Sequence, residues 1–403
     1  MKVALVIERI EAWRGGAETS TMLFAGHLVR LGCEVHVVTT TNVPSTPDLR
    51  IIPIKVPGGL RAMRTLVFAQ RAARYLRGKD YDIVHAITPC AAADIYQPRG
   101  GTVPETMDRN LAIRSSAGTR SLKRLSQQLN LKYRVAARLE RRLLDRRPRP
   151  WVISISDYVT DQLRRHYCFG PARVRKIFNG VDPDTTPAAE RASQRADLRA
   201  RYALADNDLM LLCVAHNFKL KGVARLIEGL ACIPRGGPAE SQKHSEGKRI
   251  KAVVVGRDNP RSLARLAQKR RVADRVVFAG PTQRMPAFYH AADVLVHPTY
   301  YDPCSRVVLE ALAAGLPVIT TRFNGAAERI TNGREGYVLD SPDDVAGLAQ
   351  AIVRLCDDDY RRSCADAAPG ATSGISMREH ARRACRLYEE LVASGEPIRG
   401  GYR

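Results

Sequence analysis

The chain has 403 residues, 45% of them apolar, and 64 Lys and Arg against 41 Asp and Glu, a formal charge of +23. That size suits two or three globular domains with large cores, no run approaches the eighteen or so apolar residues that span a bilayer, and the first residues lack the charged, apolar, small order of a secretion leader. Nine cysteines, scattered singly with no C-x-x-C and no His cluster at ligand spacing, read as reduced thiols in a cytoplasmic protein, and no metal is expected.

In chain order, residues 2–7 (KVALVI) predict a strand, followed by Trp13, Arg14, Gly15 and Gly16 and a helix over 17–31 that Gly32 ends. Residues 34–39 (EVHVVT) make the next strand, which gives an opening β-loop-α-β unit. Gly15 and Gly16 let the backbone approach a ligand closely, although a Gly-Gly pair alone is as readily a turn as a phosphate cradle. Further strands are expected at 51–54, 82–86 and 152–155, so the first domain reads as doubly wound. The turn-rich run 178–183 (FNGVDP) reads as a hinge. A second α/β repeat follows, with strands at 209–215, 251–255, 275–278, 294–296 and 317–320. Residues 234–248 suggest a surface insertion, 376–392 a helix with one apolar side, and 400–403 a frayed tail.

Charge concentrates between Arg109 and Arg149, where eleven Lys and Arg from Arg120 to Arg149 face only Glu140 and Asp145. Leu122, Leu125, Leu129, Tyr133, Ala136, Leu139 and Leu143 fall at three- and four-residue steps through it, so it reads as a basic amphipathic helix. Such a helix suits an anionic membrane surface or a phosphorylated acceptor; a solvated face opposite a core stripe is the plainer reading. Nucleic acid is not expected, because aromatic residues for stacking bases are nearly absent.

The run 297–330 carries the most chemistry. Asp302 and Glu310 are separated by seven residues; between them a polar loop gives way to a buried helix that ends at Gly315, before a short apolar strand. Glu310 then lies roughly one to two turns inside the helix and Asp302 just ahead of it. The unpaired amides near Ser305, Arg306 and Val307, with the positive end of the helix dipole behind them, suit a phosphate. A nucleotide sugar needs that combination of pyrophosphate donors and carboxylates for ribose and sugar hydroxyls. Lys219 and Lys221 follow the 209–215 strand within reach of such a diphosphate. The plain alternative makes Asp302 a turn residue and Glu310 a surface residue. His85 and His297, beside strands, are more often core-edge histidines than catalysts.

These residues resemble the retaining glycosyltransferases of the GT-B fold, whose E-x7-E motif precedes a small-residue helix and a GxPVI strand. The likeness is nearest to the lipopolysaccharide core glucosyltransferase type, through ADIYQ, LKGVARLIEGLA, VVVGRDNP, AADVLVHPTYYD and VVLEALAAGLPVITT. It implies two doubly wound, Rossmann-like parallel-sheet domains facing across a cleft: residues 1–176 with 376–395 for the acceptor, and 177–375 for the nucleotide sugar. The C-terminal helix would return to the first domain. It also implies glucose transfer from UDP-glucose to a glycan or glycolipid acceptor with retention, without metal or cofactor, at the inner face of the membrane.

Asp302, Lys221 and Asp94 would be catalytic, Asp94 holding the acceptor hydroxyl; a capping or turn aspartate is its alternative. Gly15, Gly16, Lys219, Lys221, Gly280, Ser305, Arg306, Val307 and Glu310 would bind the nucleotide sugar, Gly280 against the base. Three positions depart from the pattern: Asp302 replaces Glu, Leu220 replaces an arginine for which Lys219 would substitute, and Pro281 replaces another arginine. Other donors (GDP-mannose, UDP-N-acetylglucosamine, an ADP-heptose) and a polyanion-binding protein on the same fold are the alternatives.

Overall fold

The computed structural model describes residues 1–11, 16–42, 44, 49–58, 61–114, 116–234 and 249–395. Gly15, nearly all of the expected surface insertion, and the tail at 400–403 lie outside these. The chain divides into two compact units, Met1–Gly180 with Ile375–Arg403, and Val181–Gly374.

The first unit runs β1 (Lys2–Val6), α1 (Gly16–Arg30), β2 (Glu34–Thr39), β3 (Leu49–Pro53), α2 (Arg61–Leu76), β4 (Ile83–Ala86), β5 (Ile95–Tyr96), α3 (Val103–Ala112), α4 (Ala117–Leu129), α5 (Leu131–Asp145), β6 (Trp151–Ser154), α6 (Asp157–Tyr167) and β7 (Val174–Lys176). Its seven strands are all parallel in the order β3-β2-β1-β4-β5-β6-β7. A parallel sheet covered by helices on both faces needs apolar residues on both, which is why β1 and β4 are unbroken apolar or buried runs and do not alternate. β5 has only two residues, too few to leave a periodic trace in the sequence.

The second unit runs α7 (Ala188–Arg201), β8 (Leu209–Val214), α8 (Val223–Ala231), β9 (Ile250–Val255), α9 (Arg261–Lys269), β10 (Val276–Gly280), α10 (Met285–Ala291), β11 (Val294–His297), α11 (Arg306–Ala313), β12 (Val318–Thr321), β13 (Gly336–Leu339), α12 (Val345–Arg354) and α13 (Asp358–Ala367). Its six strands are parallel in the order β10-β9-β8-β11-β12-β13. In each sheet the order reverses once, between β1 and β4 and between β8 and β11, the doubly wound pattern whose crevice opens at the carboxyl ends of those strands. Each unit is thus a Rossmann-like parallel-sheet domain.

The chain then returns to the first unit as α14 (Met377–Ala393). Ala381, Ala384, Cys385, Leu387, Tyr388 and Leu391 bury its apolar side in the same core as Val3, Leu5 and Phe24. The Tyr388 hydroxyl meets Nδ1 of buried His85 at 2.5 Å, so His85 is a core histidine whose burial lowers its pKa. The sulfurs of Cys33 and Cys385 lie 3.5 Å apart in this core.

One expectation is corrected. The basic stretch from Arg109 to Arg149 is not one helix: at Asn130 (φ −74°, ψ 107°) the chain leaves α4, and the Asn130 side chain accepts from Lys132 N–H to start α5. The break separates two apolar faces. Leu143 and Leu144 of α5 are buried, whereas Leu122, Leu125 and Leu129 of α4 are 70%, 53% and 70% exposed. The buried residue of α4 is Gln127, whose Nε2 donates to the Met107 carbonyl at 3.2 Å. A solvated face opposite a core stripe therefore describes α5, while α4 is turned inside out. Among the described residues no helix is long and apolar enough to cross a membrane.

Gly180 ends the first pass through unit 1 against the first turn of α14, and a Cβ there would stand 2.7 Å from Met377 Cα. Gly180→Ala should therefore displace α14 and cost about 1–3 kcal/mol, the range for overpacking a close contact. Denaturant unfolding of the full chain measures it, and an unchanged midpoint would remove this contact from the fold's requirements.

Candidate functional site

The loops after β8 and β11, the two strands at the reversal of the second sheet, carry the acid and the cation. β8 pairs with β11 through Leu211↔Val294 and Leu212↔Leu295, so both loops leave the same edge side by side. They are tied together: Tyr300 N–H donates to the Leu220 carbonyl at 2.8 Å, and the Thr299 hydroxyl to the same carbonyl at 3.1 Å. Gly222 (φ +69°) closes the first loop, and a Cβ on it would lie 2.0 Å from the Pro298 carbonyl oxygen. Only glycine permits both that backbone and that approach.

This packing places Lys221 Nζ 2.6 Å from Asp302 Oδ2 and 3.0 Å from the Tyr301 carbonyl. The two side chains are 17% and 16% exposed. Burial alone would raise the Asp302 pKa, but the Lys221 ammonium and the neighbouring His297 ring together outweigh it and hold the carboxyl well below the usual carboxylate range. His297, at the end of β11, is 1% exposed, and burial lowers its pKa. Its Nε2 is 3.6 Å from Asp302 Oδ2, beyond hydrogen-bond reach, and among the described residues neither ring nitrogen has a hydrogen-bond partner.

Asp302 is also held through its backbone. Its N–H donates to the Phe323 carbonyl, and its carbonyl accepts from Gly325 N–H, both at 2.9 Å. Asn324 organises the turn: Oδ1 accepts from Ser305 N–H and Ala326 N–H at 3.1 Å, and Nδ2 donates to Thr320. Ser305 is the N-cap of α11 without a side-chain cap bond. The structure therefore revises one expectation: the Ser305 amide is spent on Asn324, leaving Arg306 and Val307 as the first-turn amides for an anion.

Glu310 stands five residues into α11. It accepts from Arg306 Nη2 at 2.6 Å and from the Tyr289 hydroxyl at 2.8 Å, and its side chain is 28% exposed. Burial and then the Glu310 charge push the Tyr289 pKa well above its ordinary value. Tyr289, on α10, is a site neighbour without trace in the sequence, and Asn324, the first residue of an Asn-Gly pair, organises the α11 start from 19 positions beyond Ser305.

Lys219 is exposed in the Lys221 loop. Gly280 (φ +74°) ends β10 on the same edge of the sheet, its carbonyl accepting from Gly256 N–H at 2.9 Å, with open space where a side chain would be. In the first unit, Gly16 is the exposed first residue of α1.

Asp94 requires a correction. It is 1% exposed, and Oδ2 accepts from Val84 N–H at 2.7 Å inside the sheet, ahead of β5 and away from the carboxyl ends of the strands. An acid so placed serves the β4 backbone and offers no face to an acceptor hydroxyl. Glu105, Asp108 and His166 come close enough to suggest a cation site. Glu105, however, already accepts from the Tyr158 hydroxyl, Arg165 and His166, a donor set that suits a carboxylate's own needs better than a metal's.

Two family models match the chain, "Glycosyltransferase Family 4" over residues 14–185 and "Glycosyl transferases group 1" over 194–371. A curated relative, the lipopolysaccharide glucosyltransferase WaaG of Escherichia coli (strain K12), is 32% identical over 215 residues, 53% of this chain and 55% of the relative. The chain thus spans about half the length of that relative. The crystal structure of WaaG superposes with a TM-score of 0.76 at 24% identity over 96% of this chain and 99% of that one. Anabaena Alr3699/HepE in complex with UDP-glucose gives 0.68 at 19% identity over 98% and 100%. At these identities the likeness to solved structures concerns the fold.

Because the Asp302 pKa is depressed in the folded chain, its contribution to stability is complete above the ordinary carboxyl value near 4 and fades as pH falls toward the folded value. The stability gap between wild type and Asp302→Asn should be flat from about pH 5 to 8 and narrow below about pH 4. Denaturant titrations across that range check this, and a gap that widens in acid would contradict the Lys221–Asp302 pairing.

Proposed function

Because the chain belongs to the GT-B glycosyltransferases of group 1, we propose that it is a retaining hexosyltransferase that moves glucose from UDP-glucose to a lipopolysaccharide core or another phosphorylated, lipid-linked glycan. The observation that carries this reading is the Lys221–Asp302 pair beside the uncapped start of α11. A diphosphate entering there meets the Lys221 ammonium, the exposed Lys219 ammonium, and the amides of Arg306 and Val307. Asp302 holds Lys221 in place and lies where the sugar hydroxyls would fall; Glu310 is the acid for the ribose.

Two carboxylates are the common hydrolase device for retention. Here Asp302 is engaged by a cation and Glu310 by Arg306 and Tyr289, so neither serves as nucleophile. The acceptor oxygen attacks the anomeric carbon on the face from which the diphosphate departs, the bond from that carbon to the phosphate oxygen breaks, and this oxygen takes the acceptor's proton. The chain's part is electrostatic: Lys221 and the α11 amides stabilise charge growing on the leaving group. That work requires no metal. Asp302 in place of Glu, Leu220 in place of arginine and Pro281 in place of another arginine each touch the donor pocket, which keeps GDP-mannose, UDP-N-acetylglucosamine and ADP-heptose as second readings.

We place the enzyme on the cytoplasmic face of the cell membrane, held by α4. Its exposed Leu122, Leu125 and Leu129 would enter the headgroup region while Arg120, Lys123 and Arg124 meet anionic lipid, each basic residue contributing about 1 kcal/mol.

UDP should bind, and turnover with a panel of nucleotide sugars should be highest with UDP-glucose. Lys221→Ala should lower turnover by about 10²- to 10³-fold, the usual effect of removing one leaving-group contact. RNA binding without nucleotide affinity would overturn the enzyme reading. The α4 assignment is checked by co-sedimentation with phosphatidylglycerol vesicles at low salt: the triple change Leu122→Ser, Leu125→Ser, Leu129→Ser should release the protein, and equal sedimentation of both forms would exclude α4.

A further inference from the structure

A groove of about 850 Å³ runs between α2 and α5 on the first unit. Its floor is apolar, built from Leu66, Ala69, Ala73, Leu139 and Leu143. Five arginines rim it: Arg74 in the last turn of α2 and Arg77 just beyond it, with Arg142 on α5 and Arg146 and Arg147 just beyond that helix. No carboxylate lines it among the described residues. Arg146 is held by the carbonyls of Ala91 and Ala93. Arg74 and Arg142 are exposed and make no ion pair among the described residues. That is unlike the arginines of the second unit, where Asp293 takes Arg195 and Arg199, and Asp208 takes Arg249.

The groove does not end blindly. Pro89 and Leu139 also line a second cavity of about 260 Å³ at the carboxyl ends of β4 and β5, where the hydroxyl-bearing residues Thr65, Thr88 and Thr106 gather beside Tyr96. Open α/β sheets bind ligands at that edge. The three environments in sequence are a threonine-lined cavity, whose Thr65 and Thr106 hydroxyls donate to Glu8 and to the Thr102 carbonyl and offer their oxygens as acceptors, a ring of guanidinium groups, and an apolar floor. A nucleic acid or inorganic polyanion would use the arginines but not the floor, and a neutral sugar would use neither.

We propose that this groove receives the phosphate-bearing part of an amphiphilic, lipid-linked acceptor, with its glycan end in the threonine-lined cavity. The proposal rests on the transferase reading for what the glycan end is for, and stands separately on the groove's own chemistry. Arginine forks grip the phosphate oxygens, and the leucine and alanine floor takes the adjoining hydrocarbon.

Dodecyl phosphate, titrated below its micelle concentration into the full chain by calorimetry, is the probe. It should bind at least about tenfold more tightly than inorganic phosphate or dodecyl maltoside, because it alone engages both rim and floor. Arg74→Gln with Arg142→Gln should weaken it by about tenfold or more and leave UDP affinity unchanged, which also shows that the variant is folded. The α4 triple serine variant should bind it as wild type does. Equal affinity for inorganic phosphate or for the maltoside, no loss in the double arginine variant, or loss in the α4 variant would each overturn the groove assignment. If UDP binds and dodecyl phosphate does not, the groove proposal fails alone; if dodecyl phosphate binds and UDP does not, the transferase reading fails alone.

Discussion

Lys221 and Asp302 meet at 2.6 Å, mostly buried, on loops that leave neighbouring parallel strands, and much of the second unit serves to keep them there. Removing one member of such a pair strands the other charge in a poor solvent, so the pair constrains everything that sets its geometry. The loops are laced through the Leu220 carbonyl, Gly222 lies against Pro298, and Asn324 clamps the turn that carries Asp302. β8 and β11 are neighbours in space because the sheet reverses there. That reversal is what opens an edge for these loops, and what brings Lys221 and the start of α11 to the same edge of the sheet.

The excess of positive charge is unevenly compensated. In the second unit arginines are held by buried acids, as Arg195 and Arg199 are by Asp293, and they staple α7 to the strands. In the first unit the arginines at the ends of α2 and α5 rim a groove that no acid lines among the described residues, and α4 presents leucines to solvent beside lysine and arginine. The core behind them is polar where it meets α14: His380 Nδ1 pairs with the Phe178 carbonyl, and Arg99 reaches Gln97 and Ser20. Burial first, and then the Arg99 charge, press the His380 pKa down to about 3, so this contact stays neutral at physiological pH. The helix that returns to the first unit is thus fixed by a buried network in which Arg99 carries the charge and His380 stays neutral.

Much of this was legible in the amino-acid order. Unbroken apolar runs such as KVALVI and LMLLCV announce parallel strands buried on both faces, and the helix before GLPVI follows from its small-residue pattern. β5 and β13 were not legible, the first because two residues carry no period and the second because its Gly-Tyr-Val-Leu run alternates with nothing around it. Tyr289 joins Glu310 from 21 positions away, and nothing local marks it. Asp94 was misread for the opposite reason: its local motif was recognisable, but its carboxylate turns into the sheet.

The sequence by itself determined the two parallel α/β units, the acid spacing around α11 and the lysines after β8, because hydrophobic period, turn residues and short-range spacing are written in neighbouring positions. Only the tertiary structure decided that Lys221 neutralises Asp302, that Asn324 occupies the Ser305 amide, that α4 faces outward and that α2 and α5 bring five arginines to one groove. The physical reason is that period says a helix has an apolar face without saying which surface will cover it, and ion pairs between loops depend on strand order, which no local pattern encodes.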